Sequence, residues 1–532
     1  MAEPKKQNYL HGAAILAAGV VIMKILGAIY KIPLGNILGD EGYAHFLVAY
    51  NIYSVFLTLA TAGLPVALSR MISEANTMNR PNQVRRIFSV AWWTFFVLGV
   101  VCTLAMALFP SQLADSLNDI EASRSIFVLS PAVLLVCLTS AYRGYCQGHE
   151  NMTPTTVGQV LEVLAKVIAG LALAWYLTSA GYSLPTASAG AIFGVTVGSL
   201  VALAYMFIYK RRRYASGERG SDAPESRGKV LRTLLRIGIP ITLGSSVLSL
   251  INLVDSGLCM GRLQDAAGFT YQEATVLYGV YGKAQTLYNL PASFITPLTI
   301  SVVPAIAAAM ALRHRGDASR IAENSMRIAA VIALPMGVGL SVLADPIMNT
   351  VYPDSHASGG LLLTIMGIAS FFVCMALMMN AILQAGGNEK YPIYSMLVGG
   401  VVKVAVNWVL VANPDINIIG APIGTLSCYV VMCVMNYIFM CRRLTERPSL
   451  GRILLRPAIA CAAMGLSAWA VYGLCYRFLG EGGLHMAIAM VAAIGVAVVV
   501  YFVLVVALRA ITYEDMKLIP KGEKLARILH IR

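Results

Sequence analysis

Ser358–Ala385 reads SGGLLLTIMGIASFFVCMALMMNAILQA, 28 residues without one Asp, Glu, Lys or Arg. A helix rises 1.5 Å per residue, so about 20 apolar residues cross a hydrocarbon core of roughly 30 Å. This run alone predicts a membrane span. Outward from it, similar runs recur with short polar breaks and predict spans near 11–32, 43–69, 87–109, 122–147, 153–178, 186–209 and 232–259. Further runs lie near 274–309, 322–343, 358–385, 391–411, 417–440, 453–477 and 484–508. The eighth is long enough to be tilted or broken. The whole chain agrees, at 58% apolar and 12% charged with mean hydropathy +0.71, where a soluble protein carries about a quarter charged residues. The 532 residues therefore predict an all-α polytopic membrane protein of about 14 transmembrane helices, with no stretch left for a soluble domain.

A formal charge of +14 raises nucleic acid as a partner, but the charge is dispersed over short loops. With the N-terminus inside, segments 1–10, 70–86, 143–152, 210–236, 310–327, 386–390, 441–456 and 509–532 hold most of the 40 Lys and Arg residues. The opposite loops, near 33–42, 110–121, 179–185, 344–357 and 412–416, hold almost none. That asymmetry predicts a multi-pass membrane protein with both termini in the cytoplasm and no nucleic-acid surface. The first span follows Lys5-Lys6, yet it contains Lys24 and runs on to Pro33, so it reads as an uncleaved span. Ten cysteines stand singly without a C-x-x-C spacing and read as free thiols. The histidines (His11, His45, His149, His314, His356, His485, His530) show no ligand spacing, so no metal is expected. There is no G-x-x-x-x-G-K-[ST] phosphate loop and no catalytic cluster, which argues against ATP, any cofactor and an enzyme.

The chain also matches itself. At an offset of 237, Cys137, Gln147, Asn151 and Lys166 fall on Cys374, Gln384, Asn388 and Lys403. At 236, Phe109-Pro110 falls on Asp345-Pro346, and at 239 Pro65 meets Pro304. Six spans separate the copies, an even number, so the halves form a parallel repeat. The organisation expected is an N-terminal lobe at 1–209, a basic cytoplasmic linker at 210–231 and a C-terminal lobe at 232–441. Two further spans at 442–510 and an amphipathic cytoplasmic tail at 511–532 complete it. In that tail Leu518, Leu525, Ile528 and Leu529 lie among Lys517, Lys521, Lys524 and Arg527, a pattern suited to the membrane surface. Gly190, Gly194 and Gly198, four residues apart in the sixth span, predict close helix packing.

Charges inside spans cost roughly 2.5–3.5 kcal/mol each, so each requires a reason. Lys24 and Lys31 lie in the first span, Lys166 in the fifth, Lys283 in the eighth and Lys403 in the eleventh, against Glu162 and Asp255. Glu162 precedes Lys166 by four residues and predicts a pair on one helix face. Lys403 has Gly399 and Gly400 where such an acid would stand. Lys24, Lys283 and Lys403 therefore read as lining a wet cavity that attracts anions, or as pairing across helices with Asp255. Asp255, with Asn252 expected on the same face, is a counter-ion, a proton site or a cation ligand.

Several stretches resemble one family. They are Leu26-Gly27 with Tyr30-Lys31, Ala62-Gly63-Leu64-Pro65 with Leu68-Ser69-Arg70 and Glu74, and Tyr142-Arg143-Gly144-Tyr145-Cys146-Gln147-Gly148 with Pro154-Thr155 and Gln159-Val160-Leu161-Glu162. Tyr513–Pro520 is similar too. The chain is thereby identified as a member of the multidrug/oligosaccharidyl-lipid/polysaccharide exporter superfamily, in the branch of stage V sporulation protein B and the MurJ-type lipid II flippases. The resemblance implies two six-helix lobes in a V shape around a cavity of alternating access. It also implies a lipid-linked oligosaccharide pyrophosphate as substrate, flipped from the inner to the outer leaflet for peptidoglycan or polysaccharide assembly, with membrane lipids and cell-wall synthesis proteins as partners. It implies cavity cations on spans one, two and eight, where this chain has Lys24, Lys31, Arg70 and Lys283, to which the charge reading adds Lys403, and a family motif at Arg143, Gly144, Gln147 and Gly148. This sequence keeps the positive character but departs from the flippase pattern, with Tyr30 before Lys31 and no basic residue inside span two. The alternative is a multidrug/cation antiporter of the same superfamily, which would concentrate acids in the spans.

Overall fold

The computed structural model describes residues 9–214, 220–311, 315–479 and 483–510; the expected amphipathic tail at 511–532 lies outside them. Among the described residues every regular element is helical. The chain divides into two compact units, Met1–Gly261 and Arg262–Arg532.

In the first unit the order is α1 (Tyr9–Thr61), α2 (Leu64–Thr77), α3 (Pro81–Leu108), α4 (Pro110–Asp115), α5 (Ser123–Gly148), α6 (Thr153–Ser179), α7 (Leu184–Arg213) and α8 (Arg227–Asp265), which runs four residues past the division. The 53 residues of α1 would reach about 80 Å if straight. They do not, because Gly39 takes φ 68° and ψ −169°, a conformation essentially reserved for glycine. Beyond it the chain doubles back. The rings of Tyr30 and Phe46 lie 6.0 Å apart, and Lys31 Nζ is 5.8 Å from the Tyr50 ring centroid. The expected spans 11–32 and 43–69 are thus two helices side by side. Thirteen helical runs among the described residues are long and apolar enough to cross a membrane, and the first, Ile22–Thr77, contains this hairpin.

The expected linker is docked. Pro81 opens α3 without a local side-chain cap. Asn82 N and Gln83 N instead donate to the Asp222 carboxylate at 3.0 and 2.9 Å, so a residue about 140 positions away caps the helix. Helix α8, expected to open the second lobe, packs on the first unit up to Gly261. Thr58 Oγ1 and Ser249 Oγ share a 2.8 Å hydrogen bond, and a Cβ at Gly63 would strike Gly238 O.

The second unit contains α9 (Tyr271–Tyr288), α10 (Leu290–Ala311), α11 (Arg315–Val342), α12 (Ala344–Val351), α13 (Gly359–Ala385), α14 (Lys390–Leu410), α15 (Gly420–Arg443), α16 (Leu450–Leu479) and α17 (Gly483–Ala507). The long eighth span is broken at Asn289, between α9 and α10, and Pro297 and Pro304 lie inside the latter. Helix boundaries recur between units at the offset found in the sequence. The end of α5 and start of α6 (148, 153) match those of α13 and α14 (385, 390). Packing partners recur as well: α3 on α5 and α6 on α7 in one unit, α11 on α13 and α14 on α15 in the other. Helices α16 and α17 pack on α11, where Tyr501 O–H donates to Val331 O at 2.6 Å.

Large apolar side chains stand outward in stripes, such as Trp93, Val97, Val101, Leu104 and Leu108 on α3. A soluble protein would not carry such faces, but lipid accepts them. Between helices, small residues allow close approach: a Cβ at Gly194 would come 2.6 Å from Gly170 Cα. The described cysteines are free and mostly buried, as expected.

Candidate functional site

The hairpin in α1 places Tyr30 in the interior, where its O–H donates to Ala191 O of α7 at 3.0 Å. Lys166 of α6 sits over that ring with Nζ 5.4 Å from the centroid, a cation–π arrangement. Lys31, half-buried, lies over Tyr50 and within the field of two like charges, Lys166 and Lys24. Lys24 itself is exposed on α1. The first unit therefore brings Lys24 and Lys166 within the field of Lys31, with Lys166 seated on the buried Tyr30.

The predicted Glu162–Lys166 pair does not form. Arg143 Nη2 of α5 lies 2.5 Å from Glu162 Oε2, with both side chains largely buried at 12% and 22% exposure. A guanidinium reaching in from the neighbouring helix takes the acid, and Lys166 turns to Tyr30 instead. The rest of the motif serves a different contact. A Cβ on Gly144 would come 2.9 Å from Pro65 O, and one on Gly148 2.7 Å from Ile72 Cβ, so both glycines let α5 lie against α2. Gln147 is half-buried on the same helix. Lys31, Lys166 and Arg143 stand here against Glu162, which leaves this interior an excess of positive charge.

Arg70 is exposed, and its Nε donates to Glu74 Oε1 at 2.9 Å, so this cation is matched locally on α2. Asp255 is buried in α8 with Cys259 Sγ 3.9 Å from its Oδ1. Asn252, expected on the same face, is exposed. Three residues leave the two side chains about 60° apart around the helix, so the edge of the buried face of α8 runs between them.

In the second unit Lys283 of α9 is 2% exposed, with Nζ 5.2 Å from the Tyr352 ring centroid. Lys403 of α14 is 6% exposed. Its helix lies against α15, where a Cβ on Gly424 would meet Lys403 O at 3.2 Å. In the first unit a Cβ on Gly194 would meet Lys166 O at 2.7 Å. The two lysines paired by the internal repeat thus sit in matching packing environments, each with its backbone against a glycine of the next helix. Tyr352, Tyr50 and the glycines of α7 and α15 were not singled out as partners of these lysines. Only the Tyr30-Lys31 adjacency hinted at aromatic seating.

The fold is that of a multi-pass membrane transporter of the multidrug/oligosaccharidyl-lipid/polysaccharide superfamily. A solved lipid II flippase MurJ in an inward closed conformation superposes with TM-score 0.67 at 13% identity, covering 92% of this chain and 99% of that one. An inward-facing multidrug resistance MATE family transporter gives 0.67 at 17% identity, over 81% and 98%. The chain belongs to the polysaccharide biosynthesis protein family, whose model matches residues 9–310. Relatives in Bacillus subtilis (strain 168) include the membrane protein YabM, 27% identical over 99% of this chain and 98% of its own length. Stage V sporulation protein B is 27% identical over 81% and 83%, and lipid II flippase MurJ 26% identical over 92% and 94%.

Proposed function

We propose that this protein flips a lipid-linked glycan pyrophosphate, lipid II or a related polysaccharide precursor, from the inner to the outer leaflet by alternating access. The observation that carries the reading is the grouping of Lys24, Lys31 and Lys166 in one unit, while Glu162, four residues before Lys166, is held by Arg143. A pyrophosphate headgroup is a multivalent anion, and cations in a low-dielectric interior attract it strongly. Lys283 and Lys403 supply the equivalent positive charge in the second unit. The antiporter alternative calls for acids at these positions.

In this reading both termini are cytoplasmic, and each six-span half acts as one lobe. The lipid tail stays in the bilayer, and α11 and α13 form an apolar cleft of about 230 Å³ lined by Leu334, Val338, Val342, Ile368 and Phe371. With the cell interior negative, each outward-moving negative charge gains roughly 2.3 kcal/mol per 100 mV. The test is complementation of a bacterium depleted of its own lipid II flippase, read as inner-leaflet lipid II. Rescue with depletion of that pool supports the peptidoglycan precursor. Failure, with the protein verified in the membrane, excludes it and points to another lipid-linked glycan.

A further inference from the structure

Glu41 and His45 lie four residues apart, on one face of the returning arm of α1, just past the Gly39 bend. Glu121 reaches them from the short 3-10 turn Ile120–Ala122 that precedes α5. One ligand atom from each of the three lies within 4.8 Å of the others. His45 is fully buried. Its Nδ1 is 2.8 and 2.9 Å from the two carboxylate oxygens of Asp119, itself fully buried. Its Nε2 is buried, makes no hydrogen bond, and lies 3.4 Å from Glu121 Oε2.

We propose that Glu41, His45 and Glu121 form a divalent transition-metal site for which zinc is the best match. An imidazole that donates Nδ1–H to a carboxylate presents a lone pair at Nε2. That lone pair facing a carboxylate oxygen sets two acceptors against each other, and a cation between them satisfies both. The arrangement of Asp119, His45 and an ion is the carboxylate–histidine–metal relay that fixes the tautomer and strengthens the ligand. Zinc binds imidazole nitrogen and carboxylate oxygen at roughly 2.0–2.2 Å, which places tetrahedral ligands about 3.3–3.5 Å apart. Closure therefore takes about an ångström of movement, available to Glu121, whose side chain is 44% exposed and gives the ion its way in. Three protein ligands leave a fourth position for water. The ion would tie the arm of α1 beyond its bend to the turn that leads into α5.

The experiment uses the full chain, purified in detergent with any polyhistidine tag removed and stripped with a chelator. Zinc alone is then added, unbound metal is removed by gel filtration, and metal content and thermal unfolding are measured. The expected result is about one zinc retained per chain and a raised Tm. Glu121→Gln and Glu41→Gln should lose both effects while unfolding like the stripped wild type. Asp119→Asn should weaken zinc affinity by about 10- to 100-fold. A wild type that retains no zinc and keeps its Tm holds an imidazolium–carboxylate pair instead, and the proposal falls. It falls equally if Glu121→Gln binds zinc as the wild type does. That variant is at the surface and stays informative even if His45→Gln does not fold.

Discussion

Arg143 and Glu162 join α5 to α6 through a 2.5 Å ion pair, largely removed from solvent. Each charge is compensated by a residue 19 positions away in the chain. Losing one partner leaves the other charged in a low-dielectric setting.

Arg143→Leu and Glu162→Leu should therefore each destabilise the protein by about 3–5 kcal/mol. The exchanged pair, Arg143→Glu with Glu162→Arg, should recover much of that loss. Thermal unfolding in detergent checks the cycle. If Lys166 were the working partner, Lys166→Leu would cost as much as Arg143→Leu, whereas a smaller loss is expected from its cation–π seat.

Gly39 is a backbone requirement and not a packing one. No atom lies within 4 Å of where its Cβ would be, yet its φ is +68°. Gly39→Ala should cost about 1–3 kcal/mol through strain alone. Gly194→Ala, in contrast, drives a Cβ into backbone at 2.6 Å and should separate α6 from α7. Comparing the two variants by unfolding and by cysteine crosslinking between α6 and α7 tells strain from clash.

The lysines should matter for transport more than for folding. Lys31→Leu should lower export by about 10- to 100-fold, the loss expected for one charged contact to an anion. The triple change of Lys24, Lys283 and Lys403 to Leu should abolish complementation at normal membrane levels. Normal growth of the triple variant would exclude a cavity role for these cations. Arg70→Leu, whose cation is held by Glu74 at the surface, should have little effect.

Asp222 gives the linker a pH dependence. Desolvation would raise its carboxyl, but the backbone N–H groups of Asn82 and Gln83, with the charge of Arg80, more than offset that and hold it below the usual carboxylate range. A depressed folded pKa means the docking contribution is present above the free carboxyl's value, near pH 4, and is lost as pH falls through the lower folded value. At neutral pH the wild-type segment 220–226 should resist proteolysis, and Asp222→Ala should make it readily cut. Acidification through that lower folded value should release the wild-type segment in the same way.

The sequence by itself determined the spans, the internal repeat and the surplus of positive charge within the bundle. Lipid offers no hydrogen bonds to the backbone, so each crossing must be a long apolar helix, and that condition is written locally into composition. The break in the eighth span was legible for the same reason, since its run exceeds one crossing and is crowded with proline. Partnership between charges was decided only by the tertiary structure. Glu162 had Lys166 at the favoured helical spacing, but Arg143 of the neighbouring α5 takes the carboxylate. Asp255 and Asn252 were assigned to one face, and the packing of α8 buries the first and exposes the second. His45 looked isolated among scattered histidines until the fold brought Asp119 and Glu121 to it from the turn before α5. Helix rotation and crossing depend on how two surfaces interlock, and no periodicity within a single helix records that.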